Sequence, residues 1–212
     1  MNVGIIDYGV GNLFSVSRAI EVLGHIPNIC KDPKLLGSSD KIILPGVGAF
    51  GAAMRSIKEH KLDIFLEDFI QSGGSLLGIC LGMQLFMSSS EEFGFNKGLD
   101  FIEGNVKQIR AELAGWPSLN VGWRELIMGE ANLFEGQSDT LNSALAGKHF
   151  YYTHSFQVDL KNQDELFGSI SYAGHKIPAV ISGLDKNVIG VQFHPEKSGQ
   201  DGLHFLKSFI EM

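Results

Sequence analysis

Apolar residues in the first half of the chain alternate between short continuous runs and helical spacing. The runs are typical of strands buried on both faces, and they are Val3 to Asp7, Ile26 to Cys30, Lys41 to Leu44 and Ser75 to Ile79. Apolar positions three or four apart predict amphipathic helices at Leu13 to Leu23, Met54 to Glu59, Leu62 to Ile70 and Gly82 to Met87. This alternation predicts a mostly parallel sheet covered on both faces.

The second half of the chain is richer in strands. The predicted strands are Phe101 to Ile109, Leu119 to Leu126, His149 to Thr153, Phe167 to Tyr172, Ile177 to Ser182 and Val188 to Phe193. With few helices between them, they predict antiparallel additions to the sheet. Gly129 to Ala146 is weakly patterned and predicts a short helix with a surface loop, and apolar residues from Leu203 to Ile210 predict a closing helix.

The two halves together predict one α/β domain over residues 1–212. We expect a three-layer, flavodoxin-like, mostly parallel sheet with helices on both faces and antiparallel strands added in the second half. A chain of 212 residues can bury one substantial core, and no linker composition divides it.

Composition and charge exclude several classes of protein. The net charge of −7 and the lack of a Lys/Arg cluster argue against a nucleic-acid binder. The N-terminus carries no basic region of a signal peptide, and no apolar run approaches about 20 residues. With only Cys30 and Cys80, a disulfide framework is not expected. We therefore predict a cytoplasmic protein without a membrane segment.

Cys80 lies in a Gly-x-Cys-x-Gly motif where a predicted strand meets a predicted helix. This is the thiol form of the nucleophile elbow, in which a sharp turn exposes the reactive group above the sheet. The helix N-terminus favours the thiolate, and the N–H of Leu81 points towards a developing oxyanion. Alternatively, Cys80 is a buried cysteine in a glycine-rich turn. A metal site is not expected, because no other cysteine has ligand spacing to it.

His194 and Glu196 follow the last predicted strand, separated by Pro195. Residues two apart in an extended chain point the same way, so Glu196 can hold one imidazole nitrogen while the other faces a nucleophile. Alternatively, His194 only ends the strand and Glu196 is a solvated acid at the next helix. The presence of the cysteine elbow favours a Cys80–His194–Glu196 triad.

Residues 46–51 contain a formal Gly-x-Gly-x-x-Gly after a strand. A dinucleotide site would need an acidic residue about 20 positions later at a strand end, and that region has a helical pattern here. The residues instead predict a flexible loop able to aim an N–H, that of Val47, at the same oxyanion as Leu81. No cofactor is expected.

Four segments carry a family resemblance: residues 7–13 (DYGVGNL), 45–51 (PGVGAFG), 78–84 (GICLGMQ) and 192–199 (QFHPEKSG). The last three resemble the signature blocks of triad-type (class I) glutamine amidotransferases. Over essentially its full length the chain is most similar to the glutaminase subunits of imidazole glycerol phosphate synthase. The resemblance implies that glutamine is hydrolysed to glutamate and ammonia through a thioester on Cys80. His194 would transfer the thiol proton to the departing ammonia, and Glu196 would orient the imidazole of His194.

The resemblance also implies roles for residues outside the triad. Val47 and Leu81 would supply oxyanion N–H groups. Contacts to glutamine would come from Gly48, Gln84, Glu92, His154 and Ser155. The partner-facing positions would be Asn12, Trp123, Tyr151 and Lys197. Alternatively, Trp123 and Tyr151 are core aromatics and Lys197 is a solvated loop charge.

A partner subunit is implied by the fate of the ammonia, which becomes non-nucleophilic ammonium in neutral water. In the resembled family the partner is a (β/α)8-barrel cyclase in a heterodimer, and its occupancy controls glutamine hydrolysis. We hypothesise that a peptide rotation in the Gly46–Gly48 loop makes or breaks the oxyanion hole.

The segment at residues 116–124 (WPSLNVGWR) departs from the family pattern Pro-His-x-Gly-Trp-Asn. Asn120 replaces the histidine and Arg124 the asparagine, which leaves the ammonia acceptor open. We predict that the ammonia is used in histidine biosynthesis. The alternative is that it is supplied to a sugar amidotransferase of surface-polysaccharide synthesis. A stand-alone cysteine amidohydrolase and a non-catalytic regulatory subunit are further alternatives.

Overall fold

The computed structural model describes residues 1–129, 139–183 and 187–212. Residues 130–138, the first half of the segment predicted as a helix and surface loop (Gly129 to Ala146), lie outside the described residues. The strands are β1 (Asn2–Ile6), β2 (Ile26–Cys30), β3 (Lys41–Gly46), β4 (Ser75–Cys80), β5 (Met87–Ser90), β6 (Asn96–Lys97), β7 (Ile102–Gln108), β8 (Asn120–Glu125), β9 (Ile127–Met128), β10 (His149–His154), β11 (Phe156–Leu160), β12 (Leu166–Tyr172), β13 (His175–Gly183) and β14 (Val188–Val191).

The helices lie mainly in the first half of the chain and at its end. They are α1 (Leu13–Val22), α2 (Pro33–Leu36), α3 (Phe50–Glu59), α4 (Leu62–Gln71), α5 (Leu81–Leu85), α6 (Asp139–Leu145) and α7 (Gly199–Glu211). None of the helices in these ranges has the length and apolar character needed to cross a bilayer.

The main sheet has eight strands in the order β2-β1-β3-β4-β14-β13-β12-β9. From β2 to β14 neighbouring strands run parallel, and from β14 to β9 they run antiparallel. The parallel part has the strand order of flavodoxin-like folds. The predicted α/β architecture, with antiparallel strands added from the second half, is confirmed.

Side chains of the parallel strands alternate between two separate cores, one on each face of the sheet. In β3, Ile43 packs with α1 and α7, whereas Ile42 and Leu44 pack with α3 and α4 on the opposite face. In β4, Leu77 and Leu76 divide in the same way. Because successive strand residues point to opposite faces, a continuous apolar run is what this double burial requires.

Three of the strands predicted in the second half do not join the main sheet. β8 pairs with β10, and β7 belongs to a four-stranded sheet in the order β11-β7-β5-β6. The prediction that Gly82 to Met87 forms one helix was also wrong at its end, because α5 stops at Leu85 and Met87 begins β5. Met87 pairs with Ile102 across a long separation in sequence, so a tertiary contact overrides the local helical pattern.

The close approach of α5 to β3 predicts that Gly82 tolerates no side chain. A Cβ atom at Gly82 would lie 1.8 Å from the Leu44 carbonyl oxygen, and β3 cannot retreat because β1 and β4 flank it. Gly82→Ala is expected to lower the free energy of unfolding by about 3 kcal/mol, measured by urea denaturation.

Gly37→Ala is the matched control. Its Cβ would lie 3.5 Å from the nearest atom, the Pro33 carbonyl oxygen, at a negative φ, so the expected change is below about 1 kcal/mol. Equal stability of the two variants would show that α5 does not press on β3 in this way.

Candidate active site

The backbone at Cys80 adopts a strained conformation between β4 and α5. Its φ is 54° and its ψ is −107°, a region that residues with a Cβ rarely occupy. Packing enforces the turn, because a Cβ at Gly46 would lie 2.6 Å from the Leu81 Cβ and 2.8 Å from the Gly82 nitrogen. The turn therefore lifts the sulfur off the carboxyl end of the central strand.

The sulfur opens into a cavity of about 350 Å³. The cavity is lined by the residues that the sequence assigned to the oxyanion hole and to glutamine, namely Val47, Gly48, Leu81, Gln84, Glu92, His154 and Ser155, together with Leu119, Thr153 and Phe156. Five separate parts of the chain, at residues 47–48, 80–84, 92, 119 and 153–156, thus meet at this cavity.

A larger groove of about 980 Å³ shares only Ser155 and Phe156 with this cavity. It contains neither Cys80 nor His194. The smaller cavity is therefore the candidate site, because it is lined by Cys80 and the larger groove is not.

His194 and Glu196 form a buried pair behind Cys80. The His194 Nδ1 lies 2.8 Å from the Glu196 Oε1, and both side chains are 1% exposed. The Asn12 amide donates to the same oxygen at 3.2 Å, and the His194 main-chain N–H donates to the Tyr151 carbonyl at 2.9 Å. The Glu196 contact orients the imidazole, while the other two contacts hold the carboxylate and the His194 main chain in place.

The other ring nitrogen of His194, Nε2, is buried and makes no formed hydrogen bond within the described residues. Burial lowers the pKa of His194, but interactions with the Cys80 sulfur and the Glu196 carboxylate outweigh it and raise this pKa to about 10. A raised pKa means that the imidazole readily holds a proton beside the sulfur. Cys80 and His194 are thus electrostatically coupled although no short bond joins them here.

Two further groups contact the sulfur. The Gln192 Nε2 lies 3.6 Å from the Cys80 Sγ, and the Thr153 carbonyl oxygen lies 4.0 Å from it. Gln192 lies in the segment 192–199, but the sequence predicted no role for it. The signal was there, since a glutamine inside an apolar strand that runs into His194 is a buried polar group in need of a partner.

Polar groups in the cavity wall are held by hydrogen bonds. The Glu92 Oε2 accepts from the Phe50 main-chain N–H at 2.5 Å. The Gln84 Nε2 donates to the Phe156 carbonyl at 3.1 Å and to the Gln192 Oε1 at 3.0 Å. Both side chains are therefore positioned before any ligand enters.

Asn120 and Arg124, the residues that depart from the family pattern, form one hydrogen-bonded chain with His154. Asn120 lies opposite His154 in the β8–β10 ladder, and its Nδ2 is 3.0 Å from the His154 Nε2. The Arg124 Nε donates to the Asn120 Oδ1 at 3.3 Å. The His154 Nδ1 in turn donates to the Phe156 carbonyl at 2.8 Å.

His154 is a neutral imidazole in this setting. Burial lowers its pKa to about 4, partly offset by the bond to the Phe156 carbonyl, with the charge on His194 adding to the lowering. Because a carbonyl can only accept, Nδ1 carries the proton and Nε2 accepts from Asn120. Both ring nitrogens are therefore used within the protein.

The residues expected to face a partner lie together beside the triad. The Trp123 and Tyr151 rings contact each other edge to face with centroids 6.2 Å apart, and Trp123 is 51% exposed. Lys197 is exposed next to Glu196, whereas Asn12 reaches inwards to the Glu196 carboxylate. The exposure of Trp123 argues against a purely core role for that aromatic residue.

The described residues contain no cluster of three or more side chains able to hold a metal ion. Cys80 has no cysteine neighbour, and both cysteines are free thiols. The site as described consists of a thiol, an imidazole–carboxylate pair and hydrogen-bond donors, the set required for nucleophilic acyl transfer.

Comparison with known proteins identifies relatives over the whole chain. The profile of the family "Glutamine amidotransferase class-I" matches residues 5–212. Imidazole glycerol phosphate synthase subunit HisH from Bacillus subtilis is 40% identical over 99% of this chain and 96% of its own length. The protein of that name from Methanosarcina barkeri is 43% identical over 98% of this chain and 97% of its own length.

Solved structures agree with the fold. PurLQS from Thermotoga maritima superposes with a TM-score of 0.73 at 18% identity, covering 99% of this chain and 97% of that chain. A crystal structure of a glutamine amidotransferase gives a TM-score of 0.74 at 15% identity and covers 99% of both chains. On the profile match and the full-length relatives, the chain belongs to the class-I glutamine amidotransferase family, with the HisH subunits of imidazole glycerol phosphate synthase among its relatives.

Proposed function

We propose that this chain is the glutaminase subunit of an imidazole glycerol phosphate synthase and supplies ammonia for histidine biosynthesis. The observation that carries the proposal is the position of Cys80, which lines the cavity and also interacts with His194, the partner of Glu196 in a buried pair. The full-length similarity to HisH subunits supports the choice of pathway.

The reaction begins when the Cys80 sulfur attacks the carboxamide carbon of glutamine. His194 takes the thiol proton on Nε2 and delivers it to the departing ammonia, which leaves a glutamyl thioester. Water then hydrolyses the thioester to glutamate and regenerates the thiol. Glu196 accepts from Nδ1 and keeps Nε2 directed at the reacting atoms.

The oxyanion of the tetrahedral intermediate is stabilised by the main-chain N–H groups of Leu81 and Val47. Leu81 follows the nucleophile at the start of α5, and Val47 lies at the cavity wall where β3 ends. Gly48 has a φ of +96°, and glycine can adopt several backbone conformations at little cost, which favours a peptide rotation here. Rotation there makes or breaks the hole.

The glutamine substrate is held by Gly48, Gln84, Glu92, His154 and Ser155. The Glu92 carboxylate matches the positive α-amino group of glutamine. His154 contributes its main chain and ring edge, because its two nitrogens are bonded to Asn120 and Phe156. The wall is thereby preorganised for one amino acid.

A (β/α)8-barrel cyclase is the proposed partner, in a heterodimer that keeps the ammonia out of water. Asn12, Trp123, Tyr151 and Lys197 form the proposed docking surface beside the triad. The Asn12–Glu196 bond gives this surface a direct contact with the catalytic carboxylate. The chain acts in this complex as a single domain over residues 1–212, in the cytoplasm and without nucleic acid or membrane.

Covalent labelling tests the nucleophile. A glutamine analogue carrying an electrophilic carbon is expected to label Cys80 in the intact chain, because only this thiol faces the cavity among the described residues. Cys80→Ala should abolish both labelling and glutamine hydrolysis, whereas Cys30→Ala should leave both unchanged. Labelling that persists in Cys80→Ala, read by mass spectrometry, would remove the assigned nucleophile.

The raised pKa of His194 predicts a pH-dependent stability. Between about pH 6.5, the ordinary value for an unfolded histidine, and about 10, the folded state binds more protons than the unfolded state. The stabilisation is therefore complete below about pH 6.5 and is lost as the pH rises towards 10. The stability advantage of the wild type over His194→Gln should shrink across this range in urea titrations, and a constant difference would contradict the coupling.

Partner activation tests the pathway and the docking surface together. With a purified cyclase subunit, Lys197→Ala is expected to lose about tenfold of the activation of glutamine hydrolysis, because the exposed Lys197 next to Glu196 lies on the proposed interface. Lys58→Ala, an exposed lysine of α3, should behave as the wild type.

Formation of imidazole glycerol phosphate by the wild-type pair is the second readout of that experiment. Product formation supports the histidine pathway. Activation by a sugar amidotransferase but not by the cyclase would favour the alternative that Asn120 and Arg124 raise. Full activity of the isolated chain, with no gain from either partner, would contradict a synthase subunit.

A further inference from the structure

Gln192 is a buried polar residue that has no role in the triad mechanism. It is the second residue before His194, its side chain is 0% exposed, and its main-chain N–H pairs with the Ala179 carbonyl at 2.9 Å. The Gln192 side chain extends to the Cys80 sulfur, with Nε2 at 3.6 Å from Sγ. A buried amide at this position contacts the reacting atom itself.

The orientation of the Gln192 amide follows from a main-chain carbonyl. The Phe156 carbonyl oxygen can only accept, so the Gln84 group 3.1 Å from it must be the amino group. That same amino group lies 3.0 Å from the Gln192 side chain, which therefore presents its oxygen to Gln84. The amino group of Gln192 is left pointing at the sulfur.

The Phe156 carbonyl, which orients the Gln84 and Gln192 amides, accepts a second hydrogen bond. It accepts from the His154 Nδ1 at 2.8 Å, and His154 is held in turn by Asn120 and Arg124. In each of these contacts a donor meets an acceptor: Gln84 and His154 donate to the Phe156 carbonyl, and Asn120 donates to His154. Reversing the Gln192 amide would place two oxygens or two amino groups face to face at one end, a costly arrangement in a buried site.

We propose that Gln192 is a further catalytic residue of the glutaminase reaction, donating an N–H to the Cys80 sulfur and stabilising its thiolate. The inference rests on the proposed function and deepens it. No bond breaks at Gln192, because the thiol proton passes to His194 and the amide only stabilises the negative charge that remains. In the thiol form the S–H instead faces the Thr153 carbonyl at 4.0 Å.

A hydrogen bond to a charged sulfur differs in kind from ordinary core packing. An amide donor to an ionised acceptor is among the stronger hydrogen bonds in proteins, and the thiolate is the nucleophilic form of cysteine. A bond to the sulfur acts on chemistry rather than on glutamine binding, so its loss should lower kcat and leave KM nearly unchanged.

The test compares Gln192→Met with the wild type in the complete synthase and in the intact chain. Methionine keeps the length of the side chain and removes the donor, together with the oxygen that accepts from Gln84. We expect kcat for glutamine hydrolysis to fall about tenfold, with KM changed less than about twofold. The midpoint of Cys80 alkylation by iodoacetamide should move upwards by about one pH unit, the equivalent of that tenfold change.

Gln71→Met, at an exposed glutamine at the end of α4, is the matched control and should match the wild type in every readout. The other titratable groups around the sulfur are Tyr8, Glu92, His154 and His194. They are the same in all variants, so a shift in the alkylation profile reports the change at Gln192.

Gln192→Glu is the second variant, and it tests the donation to the sulfur if the methionine variant fails to fold. Glutamate keeps an oxygen for Gln84 but, when ionised, turns a second oxygen towards the sulfur. Alkylation near pH 8 should then be slower than in the wild type. A wild-type profile of alkylation in the folded variants would overturn the proposal, and so would a rise in KM without a fall in kcat.

Failure of this inference is distinguishable from failure of the proposed function. Alkylation reports the sulfur alone and needs no glutamine turnover. If Gln192→Met alkylates like the wild type while Cys80 still accepts the glutamine analogue, the glutaminase assignment stands and the Gln192 role falls. If Cys80 rejects the analogue, the glutaminase assignment itself falls, whatever the alkylation profile.

Discussion

The turn at Cys80 depends on how closely three backbone segments approach each other at the carboxyl end of the sheet. α5 lies so near β3 that neither Gly46 nor Gly82 has space for a Cβ, and Cys80 takes a left-handed φ of 54° between them. Strain of this kind persists only where the surroundings enforce it. The parallel central strands supply that enforcement, because their main-chain bonds and the apolar layers on both faces leave β4 no freedom to relax. The result is a thiol held above the sheet at the entrance of the cavity.

Around that fixed sulfur, buried polar groups form a network in which almost every donor has a defined acceptor. The His194–Glu196–Asn12 contacts lie on one side, and the Gln192–Gln84 amides and the Phe156 carbonyl lie on the other. Such groups are costly to bury unless they are satisfied, so their presence in an otherwise apolar region indicates a functional reason. The network also leaves the His194 Nε2 without a formed bond. In the proposed reaction this nitrogen receives the thiol proton.

The two residues that depart from the family pattern, Asn120 and Arg124, are structurally coupled because they are hydrogen-bonded to each other. An asparagine at 120 needs an acceptor for its amino group and a donor for its oxygen, and His154 and Arg124 provide them. Arg124 also lies over the Tyr172 ring, 5.3 Å from its centroid, and this contact steadies the guanidinium. Asn120 and Arg124 therefore support His154 in the cavity wall. Both lie on β8, the strand that also carries the exposed Trp123. Asn120 and Arg124 are connected to the Cys80 sulfur indirectly, through His154 and the Phe156 carbonyl that orients the Gln84 and Gln192 amides.

The sequence by itself determined the α/β class, most of the parallel strands and the elbow, because continuous apolar runs and the Gly-x-Cys-x-Gly spacing have a local physical cause in double burial and in a tight turn. The local motifs indicated Val47 and Leu81 for the oxyanion hole, whereas Gly48, Gln84, Glu92, His154 and Ser155 were predicted only from the family resemblance. The sequence could not assign β8 and β10 to a separate ladder, because strand pairing depends on partners distant in the chain and not on the pattern of the strand itself. For the same reason, only the tertiary structure revealed the Gln192–Cys80 contact and the Asn120–His154 pair. The first joins the residue after β14 to the end of β4, and the second joins β8 to β10. The direction of the Gln192 amide is set through Gln84 by the Phe156 carbonyl, which belongs to another part of the chain.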